Sequence, residues 1–438
     1  MTLATAGLAI VGCNFGFKYS VGGTVSGLTG QGLVLQDNGR NDLAVSSNGA
    51  FTFSDTVKNG NAYSVTVKTQ PSKPSQTCTV RNGSGVIAKA DVSNVLVSCT
   101  QAGRFAYVAN LADNDLWAYS INSTTGALTP IGSPIASSGL GPTSLVVDPN
   151  GQFLYVVNNA SNNVAVFAIS SAGSTAGTLT PGGLPHLTGA GPEALAIDPA
   201  DKYLYVANFA SDNVSAYAID STSGLLTELS NSPFRVGVQP SSLTVDGTGN
   251  FLYVTNFGDG TVSVLAIDSA TGSLAAIPGS PFGAGAGARS IALNATGTFA
   301  YVANETAATL SEFSVNASTG VLTAVSASPL TTGTSPESLA VDAAGLYVYA
   351  ANVTAINEVA TYKITPSSGA LTLSGTPVAA GIIPISIVLD PSGLWAYVVN
   401  ENSNDISVYA VDTATGVLTR GGGSPFGAGN QPRSIAID

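Results

Sequence analysis

Charged side chains recur at one position of an internal repeat, although only 9% of the residues in this chain are charged. The position comes just before a short apolar run found in forms such as PESLAVD and PRSIAID. Four of its seven occupants are charged, and the seven are Thr143, Glu193, Ser241, Arg289, Glu337, Ile385 and Arg433. Carboxylates and arginines held together are suited to hydrolysis, because a carboxylate can activate water while an arginine stabilises an oxyanion.

A second repeat position adds two carboxylates, Glu305 in VANETA and Glu401 in VVNENS, each directly after the asparagine of the repeat. Assigning strands to repeat units places Arg289 and Glu305 in one unit and Glu337, Glu401 and Arg433 in the units that follow. These five residues therefore predict a charged sector on one face of the molecule.

Two interpretations of this sector follow from the residues. In the first, Glu337, Glu305 or Glu401 acts as a general base with Arg289 or Arg433 steadying the substrate. The ligand would then be bound by Glu193, Arg289, Glu337 and Arg433. In the second, the same charges form ion pairs between repeat units and have a structural role. We favour this second interpretation, because structural ion-pair networks can look like catalytic or binding sites.

The elements that position these residues come from a repeat of about 48 residues. A motif of the type LYVAN recurs seven times, with its tyrosines at Tyr107, Tyr155, Tyr205, Tyr253, Tyr301, Tyr349 and Tyr397. Each unit holds four strand-length apolar runs separated by turn sequences such as Ala-Thr-Gly. Four strands repeated radially predict an all-β, seven-bladed β-propeller over residues 101–438. The phase of the repeat predicts that residues 434–438 pair with residues 105–110, which removes the open sheet edges.

The LYVAN strands, the SPF segments and the P-x-S-I-A-x-D strands resemble those of YVTN-type and lactonase-like propellers, including the 6-phosphogluconolactonase type and carboxymuconate cyclase relatives. The resemblance implies a lactone hydrolase with its site at the channel mouth. Lactonase-like propellers often carry Pro-Arg-His at the start of the inner strand, and here Ser434 and Ser290 replace that histidine. Because all seven units lack the histidine and the repeats are regular, we expect a non-catalytic module that binds a small molecule or protein at its rim, with lactone hydrolysis as the alternative.

The first hundred residues predict export. Residues 1–17 resemble a signal peptide with a lipobox, which would make Cys13 a lipidated N-terminus. The first basic residue is Lys18, after the cysteine, so an apolar tail with a chance cysteine stays open. Residues 18–100 alternate like strands without the repeat period and predict a small β-sandwich, similar to the Ig-like modules of exported bacterial proteins. Its expected role is that of a stalk or spacer.

Cysteine usage points to the same compartment. Cys78 and Cys99 lie in two strand-like runs separated by a Gly-rich turn, a spacing that a disulfide can close, and such bonds are rare inside cells. One lipidated cysteine and one disulfide would account for all three cysteines, as in a cell-envelope or secreted protein.

Net charge and the remaining polar residues exclude other functions. The net charge of −12 without a basic cluster excludes nucleic-acid binding and leaves lipid at Cys13 as the route to a membrane. The single histidine, His186, aligns with apolar residues and is interpreted as a packing residue. Aspartates end six of the seven inner strands, where they are expected to cap turns rather than bind calcium. We predict that the protein binds no metal and no cofactor, and that it is a monomer.

Overall fold

The computed structural model describes residues 17–28, 30–71, 76–101, 105–171, 173–326, 328–353 and 357–438. Contacts within the chain divide it into two units, residues 1–102 and 103–438. Cys13 and almost all of the predicted leader lie outside the described residues. Among the described residues, no helix is long and apolar enough to cross a membrane.

The first unit contains two four-stranded sheets that share one apolar core. One sheet has the order Gly49–Thr52, Val21–Ser26, Val92–Gln101, Gln76–Arg81, and the other Asn41–Val45, Leu33–Asp37, Ala62–Thr69, Ser84–Val86. A two-stranded ribbon pairs Lys18–Tyr19 with Val57–Lys58. Val21, Leu33, Leu35 and Val97 are among the fully buried core residues. The predicted β-sandwich is thus confirmed, and its likeness to Ig modules stays a prediction.

The predicted disulfide is present in this unit. Cys78 and Cys99 lie directly opposite each other in antiparallel strands, and their sulfur atoms are bonded.

The second unit consists of seven sheets, which we number as blades 1 to 7 in the order of the repeat tyrosines. The inner strands, starting with blade 2, are Pro142–Val147, Pro192–Ile197, Pro240–Val245, Ala288–Leu293, Ser335–Val341, Pro384–Leu389 and, in blade 1, Pro432–Ile437. The second strands of blades 1 to 7 are Phe105–Asn110, Phe153–Asn158, Tyr203–Asn208, Phe251–Asn256, Phe299–Asn304, Tyr347–Val353 and Trp395–Asn400. The third strands are Asp115–Ile121, Asn163–Ile169, Asn213–Ile219, Thr261–Ile267, Thr309–Val315, Glu358–Ile364 and Asp405–Val411.

The outer edge of each blade is divided into two short segments that pair with opposite ends of the third strand. The longer segments are Leu128–Pro130, Leu179–Pro181, Leu226–Glu228, Leu274–Ala276, Leu322–Ala324, Leu371–Leu373 and Leu418–Arg420. The shorter ones are Ile135–Ala136, His186–Leu187, Phe234–Arg235, Phe282–Gly283, Leu330–Thr331, Val378–Ala379 and Phe426–Gly427. A 3-10 turn at Gly173–Thr175 is the helical element of the described residues. The sequence predicts four strands per blade. The structure differs from this prediction in that the fourth strand is divided into two segments.

Blade 1 closes the ring as predicted. Its second strand Phe105–Asn110 pairs with the last strand of the chain, Pro432–Ile437, and the Phe105 amide donates to the Asp438 carboxylate at 2.7 Å. Neighbouring inner strands contact one another around the whole ring, so these seven strands line the central channel. Closure therefore covers the edge of Phe105–Asn110 that would otherwise be unpaired.

Four of the repeat tyrosines link neighbouring blades by hydrogen bonds to glycines in the facing turns. The Tyr155 hydroxyl donates to the Gly224 carbonyl of the next blade at 3.0 Å, and Tyr397 makes the same bond to Gly126 across the ring closure. Each of these glycines has a positive φ and lies against an aromatic ring of the neighbouring blade. The second strands are buried almost completely, which explains why so few residues of the repeat are charged.

Candidate functional site

The seven residues at the charged repeat position form a ring at the mouth of the channel. They line a cavity of about 150 Å³ together with the residue that follows each of them. Of the five residues in the predicted charged sector, Arg289, Glu337 and Arg433 line this cavity. Three of the seven ring residues contribute no charge to it, namely Thr143, Ser241 and Ile385.

A local irregularity in every inner strand places these side chains. The pairing of inner and second strands shifts register at the same place in all seven blades. The shift lies between a proline, replaced by Ala288 in blade 5, and the serine or alanine two positions later, so the residue between them is skipped. In blade 6, for example, Pro336 and Ser338 are paired and Glu337 is not. A bulge of this kind redirects the skipped side chain, and here the seven skipped residues line the channel mouth.

Arg289 lies at the centre of the first group of ion pairs. Its Nε atom is 3.2 Å from Glu337 Oε2, close enough for a hydrogen bond, and 3.9 Å from Glu305 Oε2. Its Nη2 atom is 3.8 Å from Glu193 Oε1. The arginine thus joins blades 3, 5 and 6.

Arg433 forms the second group. Its Nη1 atom donates to Glu401 Oε2 at 3.0 Å, and its Nη2 atom lies 3.8 Å from Glu193 Oε1. Glu193 therefore connects the two arginines, and its other oxygen accepts a hydrogen bond from Asn159 at 3.2 Å. The structure brings together all five residues of the predicted sector and adds Glu193 of blade 3, which the sequence proposed as a ligand-binding residue outside that sector.

Burial affects the charge state of Glu337. Its side chain is 12% exposed, and burial raises its pKa above the usual value. The Arg289 charge opposes this effect, and the nearby Glu305 charge adds to it. Glu337 consequently holds a proton more readily than an exposed glutamate, which is the property expected of a general base in a partly dry site.

Two phenylalanines, which the sequence analysis missed, lie next to the charged cluster. Phe209 and Phe257 have ring centroids 6.2 Å apart, and the Arg289 guanidinium lies 5.9 Å from the centre of the Phe257 ring. They directly follow the repeat asparagine, as do Glu305, Glu401 and Asn159. Their position directly after the repeat asparagine is the feature of the sequence that could have identified them.

The remaining predicted positions have structural surroundings. Ser290, where the family histidine would stand, accepts a hydrogen bond from the Leu339 amide at 3.2 Å and so links two inner strands. His186 pairs with Val164 at a blade edge, and burial lowers its pKa. The aspartates at the inner-strand ends cap turns as expected; Asp148 Oδ1, for example, accepts from the Gln152 and Phe153 amides at 2.6 Å each. Among the described residues, no group of three or more His, Cys, Asp or Glu side chains is placed to hold a metal ion.

Comparison with known proteins gives the family. The protein-family model described as "Lactonase, 7-bladed beta-propeller" matches residues 61–181, 171–240 and 237–429 of this chain. A 6-phosphogluconolactonase of Formosa agariphila is 40% identical over 67 residues, which is 15% of this chain and 19% of that protein. The matched segment therefore spans about a fifth of that relative.

Solved structures show the same fold. A candidate 6-phosphogluconolactonase from Bacteroides uniformis superimposes with a TM-score of 0.68 at 20% identity, over 77% of this chain and 100% of the other. The periplasmic gluconolactonase of Pseudomonas aeruginosa superimposes with a TM-score of 0.64 at 19% identity, over 76% of this chain and 98% of that one. At these identities the likeness concerns the fold alone.

Proposed function

Because the chain belongs to the seven-bladed β-propeller lactonase family, we propose that it hydrolyses a lactone at the channel mouth. The observation that supports this most is the partly buried pair of Glu337 and Arg289, joined at 3.2 Å within a water-accessible cavity. The pair offers both functions that ester hydrolysis needs, a base of raised pKa and a cation beside it.

In the proposed mechanism, Glu337 takes a proton from a water molecule as that water adds to the lactone carbonyl carbon. The negative charge that forms on the carbonyl oxygen is stabilised by Arg289 or Arg433. When the tetrahedral intermediate collapses, the ring C–O bond breaks and the ring oxygen receives the proton from Glu337. The product is the open-chain hydroxy acid. Glu401 and Glu193 act as positioning residues, because they hold the two guanidinium groups in place.

Membership of the lactonase family favours this hydrolase over the binding-only module that the regular repeats predict. No histidine lines the cavity among the described residues, and the mechanism above does not require one. A carboxylate of raised pKa takes the base role instead.

The test is hydrolysis of δ-gluconolactone by the full chain and by the variant Glu337→Gln. We expect the variant to lose about 100-fold or more in kcat, the usual size of a general-base effect. Glu228→Gln, an exposed substitution on the outer edge of blade 3, is the matched control and should leave kcat unchanged. Wild-type activity should fall as the pH is lowered through the raised pKa of Glu337, since the base must be ionised.

If the wild type hydrolyses no sugar lactone or aryl lactone, the proposed function is wrong and the binding module becomes the better interpretation. If Glu337→Gln retains full activity, the family assignment is unaffected but the role given to Glu337 is wrong.

We further propose that the protein works in the cell envelope or outside the cell, attached through Cys13. The disulfide between Cys78 and Cys99 supports an oxidising compartment. Mass spectrometry of the mature protein from a bacterial host would test this, because a lipid on Cys13 adds a defined mass that Cys13→Ala removes. An unmodified Cys13 in a mature, exported protein would contradict the lipid anchor.

A further inference from the structure

We infer that the substrate is an uncharged lactone with an apolar ring face, and that the site selects against phosphorylated and carboxylated lactones. This inference rests on the proposed function and adds the substrate class to it. It follows from how the charges at the channel mouth are paired, from the overall charge of the propeller, and from the phenylalanine pair.

The first argument is that both arginines already have carboxylate partners. Arg289 is within 3.9 Å of three glutamates, and Arg433 is within 3.8 Å of two. A substrate phosphate or carboxylate would have to displace one of these glutamates to bind a guanidinium. The displaced carboxylate would stay in the same small cavity, where like charges repel each other strongly.

The second argument is that the charges around the cavity sum to a negative value. Two arginines face four glutamates there, so the group carries a net charge of about −2, or −1 if Glu337 holds a proton. The other described lysines and arginines do not line this cavity. The second unit as a whole contains seven basic and twenty-two acidic residues, so its field also repels anions.

The third argument is the apolar surface beside the charges. Phe209 and Phe257 of blades 3 and 4 lie side by side, half-buried, next to Arg289 of blade 5. A sugar lactone has a C–H face and an aryl lactone a flat ring, and either can pack on such a pair. An uncharged ring would leave the carbonyl oxygen free to approach the arginines.

The experiment compares the full chain on three substrates: δ-gluconolactone, its 6-phosphate, and a glucarolactone that carries a carboxylate. We expect kcat/KM to be at least about tenfold higher for δ-gluconolactone than for either anion, since repulsion of this kind costs more than the 1.4 kcal/mol that corresponds to tenfold. Raising the salt concentration from 0.05 to 0.5 M should reduce this preference, because salt screens the repulsion.

Two variants test which residues cause the preference for the uncharged lactone. Glu401→Gln leaves Arg433 with Glu193 as its one carboxylate partner among these residues and removes one negative charge. The ratio of kcat/KM values should therefore move towards the phosphorylated lactone by several-fold, whereas the ratio for the control Glu228→Gln should not move. Phe257→Ala should raise KM for δ-gluconolactone several-fold with a smaller effect on kcat, and Phe257→Tyr should restore it.

The outcomes separate the two proposals. If the wild type prefers the 6-phosphate, or hydrolyses all three lactones equally well, the inferred substrate class is wrong while the lactonase function stands. If none of the three is hydrolysed but an aryl lactone is, the sugar part of the inference is wrong and its uncharged, ring-bearing part is supported. If no lactone is hydrolysed at all, both proposals fall together.

Discussion

Glu193 of blade 3 reaches Arg433 of blade 1 across the channel, with Glu193 Oε1 3.8 Å from Arg433 Nη2. The same oxygen lies 3.8 Å from Nη2 of Arg289 in blade 5. One carboxylate thus lies between two guanidinium groups from blades that are not neighbours. It sets how far apart the two cations stand, and therefore where a carbonyl oxygen can be bound.

Glu193→Gln tests this positioning role. We expect kcat/KM for a lactone to fall about tenfold, while Tm changes by no more than about 2 °C, because partly exposed ion pairs contribute roughly 0–1 kcal/mol to stability. The double variant Glu193→Gln, Arg433→Lys should lose less transition-state stabilisation than the two single losses added together, by 0.5 kcal/mol or more in the usual range for contacting residues. Additive losses would show that the two residues act independently.

The fold could be predicted from the sequence because a β-propeller repeats its pattern. The tyrosine spacing gave the number of blades, and the incomplete first repeat gave the pairing of the last strand with residues 105–110, as the structure has it. The division of each outer strand was not predicted, because two- and three-residue segments carry too little alternation to be recognised.

The candidate site was predicted in its composition but not in its connections. The repeat position identified the ring of seven, since one position in each unit must occupy equivalent places around an axis. Glu193 contacts arginines of blades that are not its neighbours. The order of the repeats along the sequence predicts contacts between neighbouring blades but not contacts of this kind. Phe257 carries no charge and so does not stand out in the sequence, although it occupies the same position after the repeat asparagine as Glu305 and Glu401.

Tyr397→Phe tests the ring closure, because its hydroxyl donates to Gly126 between the last blade and the first. Losing this buried hydrogen bond should lower the free energy of unfolding by about 1 kcal/mol or somewhat more. Tyr349→Phe is a matched control, since the Tyr349 hydroxyl is buried without a hydrogen-bond partner in the structure. Thermal melts should therefore show a lower Tm for the first variant and an unchanged or higher Tm for the second. Equal effects would mean that these hydroxyls do not hold the blades together.

Gly224→Ala tests the packing between blades 2 and 3. Gly224 has φ of +70°, and a Cβ atom there would lie 2.5 Å from the Phe153 ring. The left-handed conformation alone costs a non-glycine residue roughly 1–2 kcal/mol, and the clash with Phe153 adds to it, so a clearly lower Tm is expected. Gly422→Ala, where no atom lies within 4 Å of the added Cβ, should have little effect. A wild-type Tm for Gly224→Ala would show that the two blades can separate slightly at no cost.

Asp201→Asn tests a carboxylate pair on turns of blades 2 and 3. Burial, together with the charge of Asp148, raises the pKa of Asp201 to about 6. In the unfolded chain the pKa of an aspartate is about 3.9, so the folded protein binds the additional proton between about pH 4 and pH 6. The stability associated with this proton is fully present below about pH 4 and is lost as the pH rises through 6.

This loss of stability with rising pH should be absent from Asp201→Asn, because the carboxylate is replaced by the uncharged amide of asparagine. Asparagine tolerates the left-handed backbone at this position, where φ is +57°, and it can accept from Asn150 as the carboxylate does. We expect Asp201→Asn to raise Tm by about 2 °C at pH 7.5, where the wild type carries two repelling carboxylates, and to give no gain at pH 4, where Asp201 is protonated. Thermal melts of both proteins across this pH range measure the difference directly. A gain that is independent of pH would point to better packing of the amide, and a loss at pH 7.5 would show that the ionised Asp201 has a stabilising partner.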